Sequence, residues 1–195
     1  MINLLKDRWL PVMRRGGERE KIAPWEITRD YGTNPPLEII APRPDFKNAL
    51  YQLLIGMIQT FAPPGHGEEW FDDWETPPET NVLKKKFLEY EECFNLDAPG
   101  PAFMQDQEFP GTDPLDAGFL LISSPGENTL KQNKDFFIKE NESFGMTPYW
   151  AAVALYTLQT FAPAGGSGYR TGMRGGGPLT TLVFPEEREE SATLW

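Results

Sequence analysis

Phe46, Ala49, Leu50, Leu53, Leu54, Met57, Ile58 and Phe61 recur at intervals of three and four, the period of a helix with one buried face. Asp45 opens that helix, and Ala62-Pro63-Pro64-Gly65 ends it. Nearer the N-terminus the pattern is different. Residues 9–12 and 20–22 flank Arg15-Gly16-Gly17-Glu18, which predicts a β-hairpin whose paired glycines supply the positive φ a tight turn needs. Ala23-Pro24-Trp25-Glu26-Ile27 follows as a short helix with proline in its first turn. The proline-rich stretch 31–44 reads as irregular.

A shorter helix is expected over residues 68–74. Another is expected to be capped by Thr80 and to run through Val82, Leu83, Phe87, Leu88 and Tyr90, with Lys84, Lys85 and Lys86 on its wet side. Residues 101–109 and 118–123 have strand-like cores, and 129–142 reads as a long polar loop that orders on a partner. Thr147-Pro148 is a capping hydroxyl followed by proline at the first helical position. The helix it opens is apolar nearly all round through Phe161 and so should be buried. A β-branched strand is expected over 178–184 and a charged turn over 186–190. The stop at Trp195, where another helix would begin, suggests a fragment.

The motif Gln-Thr-Phe-Ala-Pro ends a helix twice, at residues 59–63 and 159–163. Two readings fit: a shared helix stop, with an aromatic anchor, a proline break and a glycine reversal, or an internal duplication about a pseudo-twofold axis. Both put Phe61 and Phe161 in the core.

Composition narrows the function classes. The chain has 195 residues, 39% of them hydrophobic and 13% aromatic, which is globular, and no apolar run approaches the roughly 18–20 residues of a membrane span. A single cysteine, Cys93, permits no internal disulfide and makes a reducing cytoplasm the expected location. With only His66 beside it, a Cys/His zinc site within the chain is excluded; no metal or other cofactor is expected. A formal net charge of −11 argues against non-specific coating of nucleic acid. The charge is uneven, however: from Gln159 to Phe184 there is no acidic residue, only Arg170 and Arg174 among glycines 165, 166, 168, 172, 175, 176 and 177.

That glycine block does not have the order of a phosphate-binding loop. Helix, loop, strand is the reverse of the strand–loop–helix arrangement that points a helix N-terminus at phosphate, and no Gly-Lys-Ser/Thr is present. Its composition suits close approach of backbone to a nucleic acid, with two arginines supplying charge, but by itself favours a mobile connector with two solvated arginines. Catalytic constellations are missing: there is no Gly-x-Ser-x-Gly and no His-Glu-x-x-His. His66 reads as a turn residue, and Glu91 and Glu92 before Cys93 disfavour its thiolate. Glu68, Glu69, Asp72 and Asp73 leave a cation-dependent hydrolase as a remote alternative. The chain is expected not to be an enzyme.

At "AFMQD" (102–106), "SSPGENTLKQN" (123–133), "TLQTFAPAGGSGYRTGMRGGGPLTTLV" and the opening "NLLKDRWLPV" (3–12), the chain resembles the large subunit of the type I-E CRISPR Cascade complex, the CasA (Cas8-type) family, over essentially its whole length. The resemblance implies a single α+β domain over 1–195, with mixed helices and short antiparallel strands, corresponding to the N-terminal domain without the family's C-terminal helical bundle. It implies a non-catalytic subunit that helps recognise the protospacer-adjacent motif on target double-stranded DNA. Such a subunit sits at the crRNA 5′-handle end among other Cascade subunits and recruits the helicase-nuclease in antiviral defence. The family's glycine loop falls on Ala164, Gly165, Gly166, Ser167 and Gly168, with Arg170 and Arg174 beyond it as DNA-binding candidates. Its motif-sensing and complex-contacting loop falls on Leu121, Ile122 and Ser123 and continues to Asn128, Lys131 and Lys134. Some members carry an aromatic and an asparagine where this chain has Leu121 and Ser123, and a Cys-x-x-Cys pair where it has Thr147 and Trp150. The family's lysine finger and glutamine wedge fall past Trp195. The alternative is a scaffold that docks on neighbouring subunits without touching DNA.

Overall fold

The computed structural model describes residues 1–111, 113–114, 116–125, 127–134, 145–161 and 194. The expected strand 178–184, the charged turn 186–190 and residues 162–177 lie outside them. The chain divides into two compact units, one built on Met1–Phe103 and joined by Leu194, the other within Met104–Thr180.

The first unit is a three-stranded antiparallel sheet covered by helices. Strands β1 (Leu10–Arg14) and β2 (Arg19–Ile22) form the expected hairpin, with Leu10 opposite Ile22 and Met13 opposite Arg19. Gly17 takes φ +87° in its turn, where a side chain would be strained. The expectation of irregular chain over 31–44 is corrected by β3 (Pro36–Ile39), which pairs with β1 through Val12–Ile39 and Met13–Glu38. Among the described residues the sheet order β2-β1-β3 leaves β3 at an edge, where Pro36 can begin a strand because its missing N–H breaks no central ladder. A register shift at Met13/Arg14 ends the regular pairing, and Leu194 N–H donates to Pro36 O at 3.1 Å.

The hairpin runs into a 3-10 helix, Pro24–Thr28, in place of the short helix expected from Ala23. Helix α1 (Pro44–Phe61) buries Phe46, Ala49, Leu50, Leu53, Leu54 and Met57, as its period requires. Phe61 is a correction, since it is only half-buried. It stacks on Tyr90 (ring centroids 4.4 Å apart) and meets Phe87 and Phe94 edge-on. It ends the helix at the rim of the core. Helix α2 (Gly67–Glu75) is followed by α3 (Thr80–Leu88), whose cap is Glu79, so Thr80 is the first helical residue. Leu83 and Phe87 are buried beneath α3, and Lys84 Nζ lies 4.8 Å from the centre of the Trp25 ring on its exposed side. Leu10, Val12, Ile22, Ile27, Ile39, Leu50, Leu83 and Phe87 make the core.

Asn3 anchors the N-terminus. Its Nδ2 donates to Glu91 O and Asn95 Oδ1, both at 2.8 Å, while its Oδ1 accepts from the N–H groups of Leu5 and Lys6. All four bonds involve a residue that is almost fully buried, so an apolar replacement would leave several backbone groups unpaired.

In the second unit, a short helix α4 (Glu127–Lys131) precedes α5 (Pro148–Phe161). Helix α5 begins as expected, with Trp150 N–H donating to Thr147 Oγ1 at 3.4 Å. Ala152, Val153, Ala154, Thr157 and Thr160 are buried and the other residues from 149 to 161 partly so. Phe161, expected in the core, is one of those partly covered residues at the helix end. The strand expectations for 101–109 and 118–123 are corrected. Met104 has φ +56° and the Asp106 carboxylate accepts from Glu108 N–H, so the first stretch is turns. In the second, Ala117–Leu120 is a 3-10 helix.

Candidate functional site

The motif-sensing segment expected from residue 121 onward is built from short local turns. Asp116 Oδ1 accepts from Gly118 N–H at 2.7 Å and caps the 3-10 helix Ala117–Leu120, which lies against α5. Leu121 N–H then donates to Gly118 O, and Ser124 N–H to Leu121 O. Backbone groups satisfied within three residues have no need of a neighbouring strand, which explains why apolar residues here form no sheet. Leu121, Ile122 and Ser123 are all half-buried.

The expected polar loop from 129 instead starts inside the short helix α4. Its ending places the basic residues. Lys134 N–H donates to Thr129 O at 2.9 Å and Asn133 N–H to Leu130 O at 3.0 Å, while Asn133 takes φ +49°. This is a Schellman ending, with asparagine in the left-handed position more often held by glycine. It sets Lys131 in the last helical turn and Lys134 just past it, both exposed, with Asn128 exposed one turn before Lys131. The signal was in the sequence: an asparagine two residues after Lys131 is a helix-stop residue.

The glycine-loop candidates Ala164, Gly165, Gly166, Ser167, Gly168, Arg170 and Arg174 lie outside the described residues.

The acidic cluster considered for a cation has a local role. His66 is the N-cap of α2, with its Nδ1 accepting from Glu69 N–H at 3.2 Å, and the Glu69 carboxylate reaches back to Gly65 N–H at 2.6 Å. The two contacts close the helix start reciprocally. Burial raises the Asp73 carboxyl above its ordinary range and Glu69 adds to this, against a lowering influence from Lys86. Among the described residues, no group of three His, Cys, Asp or Glu side chains is arranged to hold one metal ion. Nor is any described helix long and apolar enough to cross a membrane.

The family model for CRISPR-associated protein Cse1 matches residues 3–195. Among solved structures, the chain is similar to a CRISPR-associated protein from Thermus thermophilus (23% identity, TM-score 0.62). It is also similar to Cse1 from Thermobifida fusca (18%, 0.66) and to CRISPR-associated protein Cse1 from Acidimicrobium ferrooxidans (20%, 0.62). Each match covers 84% of this chain but only 31%, 30% and 29% of the respective relative, so the chain spans less than a third of their length. At these identities the likeness establishes the fold, a mixed α+β arrangement with a small antiparallel sheet.

Proposed function

The chain belongs to the CRISPR-associated Cse1 family, and on that premise we propose that it is a non-catalytic subunit of a Cascade ribonucleoprotein that helps recognise the protospacer-adjacent motif on target double-stranded DNA. Its partners in this reading are the other Cascade subunits, the crRNA 5′-handle region and the helicase-nuclease it helps recruit, in the cytoplasm, for antiviral defence. The carrying observation is that the family match runs through the acid-free block from Gln159 to Phe184. A chain of net charge −11 that keeps one long stretch free of carboxylates, with Arg170 and Arg174 among glycines, has the local composition that backbone approach to phosphate requires. The exposed Lys131 and Lys134 add a second cationic element suited to the complex or to DNA.

The test is a titration of the assembled complex, wild-type or Gly166→Asp, against matched duplexes with and without the motif. Gly166→Asp adds bulk and a negative charge, and is expected to weaken binding to motif-bearing DNA by about 1–3 kcal/mol, the scale of one base-edge contact. Gly172→Ala is expected to lower stability and spare specificity. Equal loss on both duplexes would mean a general phosphate contact. No loss on either would favour a scaffold that docks without touching DNA.

A further inference from the structure

Helix α2 has no buried residue. Its sequence, GEEWFDDWE, nevertheless carries Trp70, Phe71 and Trp74, whose exposures are 49%, 64% and 54%. Residues 70 and 74 are one turn apart with 71 beside them, so the three occupy one side of the helix. Their rings gather on the surface: Trp70 and Trp74 stack with centroids 5.7 Å apart and planes 16° from parallel, and Phe71 meets Trp70 edge-on at 5.2 Å. Tryptophan and phenylalanine are the side chains with most to gain from leaving water, and a contiguous exposed group of them marks an interaction surface rather than a solvated face. The helix is held at its start by the His66–Glu69 and Glu69–Gly65 contacts, so it presents this group without packing it into the core.

Charge decides what the surface takes. Around the aromatic group α2 carries Glu68, Glu69, Asp72, Asp73 and Glu75 and no basic residue. Phosphates of nucleic acid and anionic lipid headgroups would meet a wall of like charge. A second copy would set the same carboxylates against these, in a chain that already has a net charge of −11. An uncharged apolar segment would leave the carboxylates desolvated and unpaired. A basic polypeptide meets both demands. Its guanidinium or ammonium groups lie over indole faces and pair with the flanking carboxylates, while aliphatic side chains cover the ring edges.

We propose that α2 is a docking face for a basic segment of a protein partner, with Lys or Arg interleaved with aliphatic residues and Trp70 and Trp74 as its anchors. The proposal does not depend on the DNA-contacting reading, because a carboxylate-lined aromatic face is the wrong surface for DNA and is tested without it.

The experiment uses the full chain and calorimetric titration with an amphipathic peptide of Arg and Leu at helical spacing, alongside the same peptide with Glu in place of every Arg. The Arg–Leu peptide is expected to bind and to weaken as salt rises from about 0.15 to about 0.5 M. The double variant Trp70→Ser/Trp74→Ser should lose at least about tenfold in affinity, as removal of central aromatic anchors does. Glu68→Gln/Asp72→Asn should also bind more weakly, and the Glu peptide should not bind. Since Glu68, Trp70, Asp72 and Trp74 are all exposed, both variants should melt with the wild-type transition by circular dichroism. Equal affinity of the tryptophan variant would reduce the binding to general charge attraction and overturn the proposal. Absence of binding by the Arg–Leu peptide would overturn it too, as would α2-dependent dimerisation in sedimentation.

Discussion

Arg8 grips Glu26 with two parallel hydrogen bonds, Nε to Oε2 and Nη2 to Oε1, each 2.8 Å long. The carboxylate it holds is buried, with Glu26 only 5% exposed, and it also accepts from Ala23 N–H at 2.8 Å and from Arg29 Nη1 at 2.5 Å. Arg29 in turn reaches Glu20, which also receives Arg14. One glutamate thus closes the start of the 3-10 helix Pro24–Thr28 and anchors a chain of arginines along the hairpin. The bond to Glu26 is also the main reason the Arg8 guanidinium is held above its usual range.

Removing that carboxylate leaves buried donors without a partner, which costs more than the pair itself is worth. Glu26→Ala is expected to destabilise the fold by about 3 kcal/mol, the scale of breaking a buried ion pair from one side. Arg8→Ala should cost much less, because that side chain is half exposed. Urea unfolding of the two variants checks the order; an equal loss would mean that Glu26 acts only through Arg8.

Asn133 holds the left-handed position that ends α4 and sets Lys131 and Lys134. Asn133→Gly is expected to keep the ending and leave complex function unchanged. Asn133→Val places a β-branched residue where φ is positive and should unravel the turn. The amide proton of Lys134, bonded to Thr129 O, should then lose its hydrogen-exchange protection.

Lys131→Glu/Lys134→Glu reverses both exposed charges without touching the buried residues. In the assembled complex it is expected to weaken either DNA binding or subunit association, and salt titration separates the two. If these lysines neutralise phosphates, the log–log salt slope for DNA should flatten by about 0.9 for each phosphate no longer neutralised. If they meet a protein neighbour instead, that slope should stay unchanged. No effect on either would remove this segment from the interface.

The raised Asp73 carboxyl has a defined pH signature. Its folded-state proton affinity exceeds the unfolded one, so the protonated form is favoured by folding, and stability is lost as pH rises through its titration. Asp73→Asn should therefore stabilise the chain slightly near neutral pH, within the roughly 0.5 kcal/mol of surface substitutions, and change nothing at acid pH where Asp73 is already neutral. Thermal melts of both proteins across that range check the sign. A gain that persists in acid would point to a cause other than charge.

The resemblance carried by the glycine-arginine block agrees with a family match from residue 3 to 195, and this much of the identity was present in the residue order alone. So were the elements whose signals are local. The 46–61 helix follows from its three-and-four spacing, the hairpin from the Gly16-Gly17 turn, and the start of α5 from Thr147-Pro148, because each is decided by neighbours within a turn or two. Strand β3 was not legible, since Pro-Leu-Glu-Ile becomes a strand only when β1 offers its open edge, a pairing made across more than twenty residues. Phe61 shows the same limit: spacing chose its side of the helix, but only the positions of Tyr90, Phe87 and Phe94 set how far it is covered. Of the candidate site, the asparagine stop that places Lys131 and Lys134 was written locally. The exposure of Trp70, Phe71 and Trp74 was decided by tertiary structure, because amphipathic spacing gives a helix an apolar side but does not supply the surface that covers it.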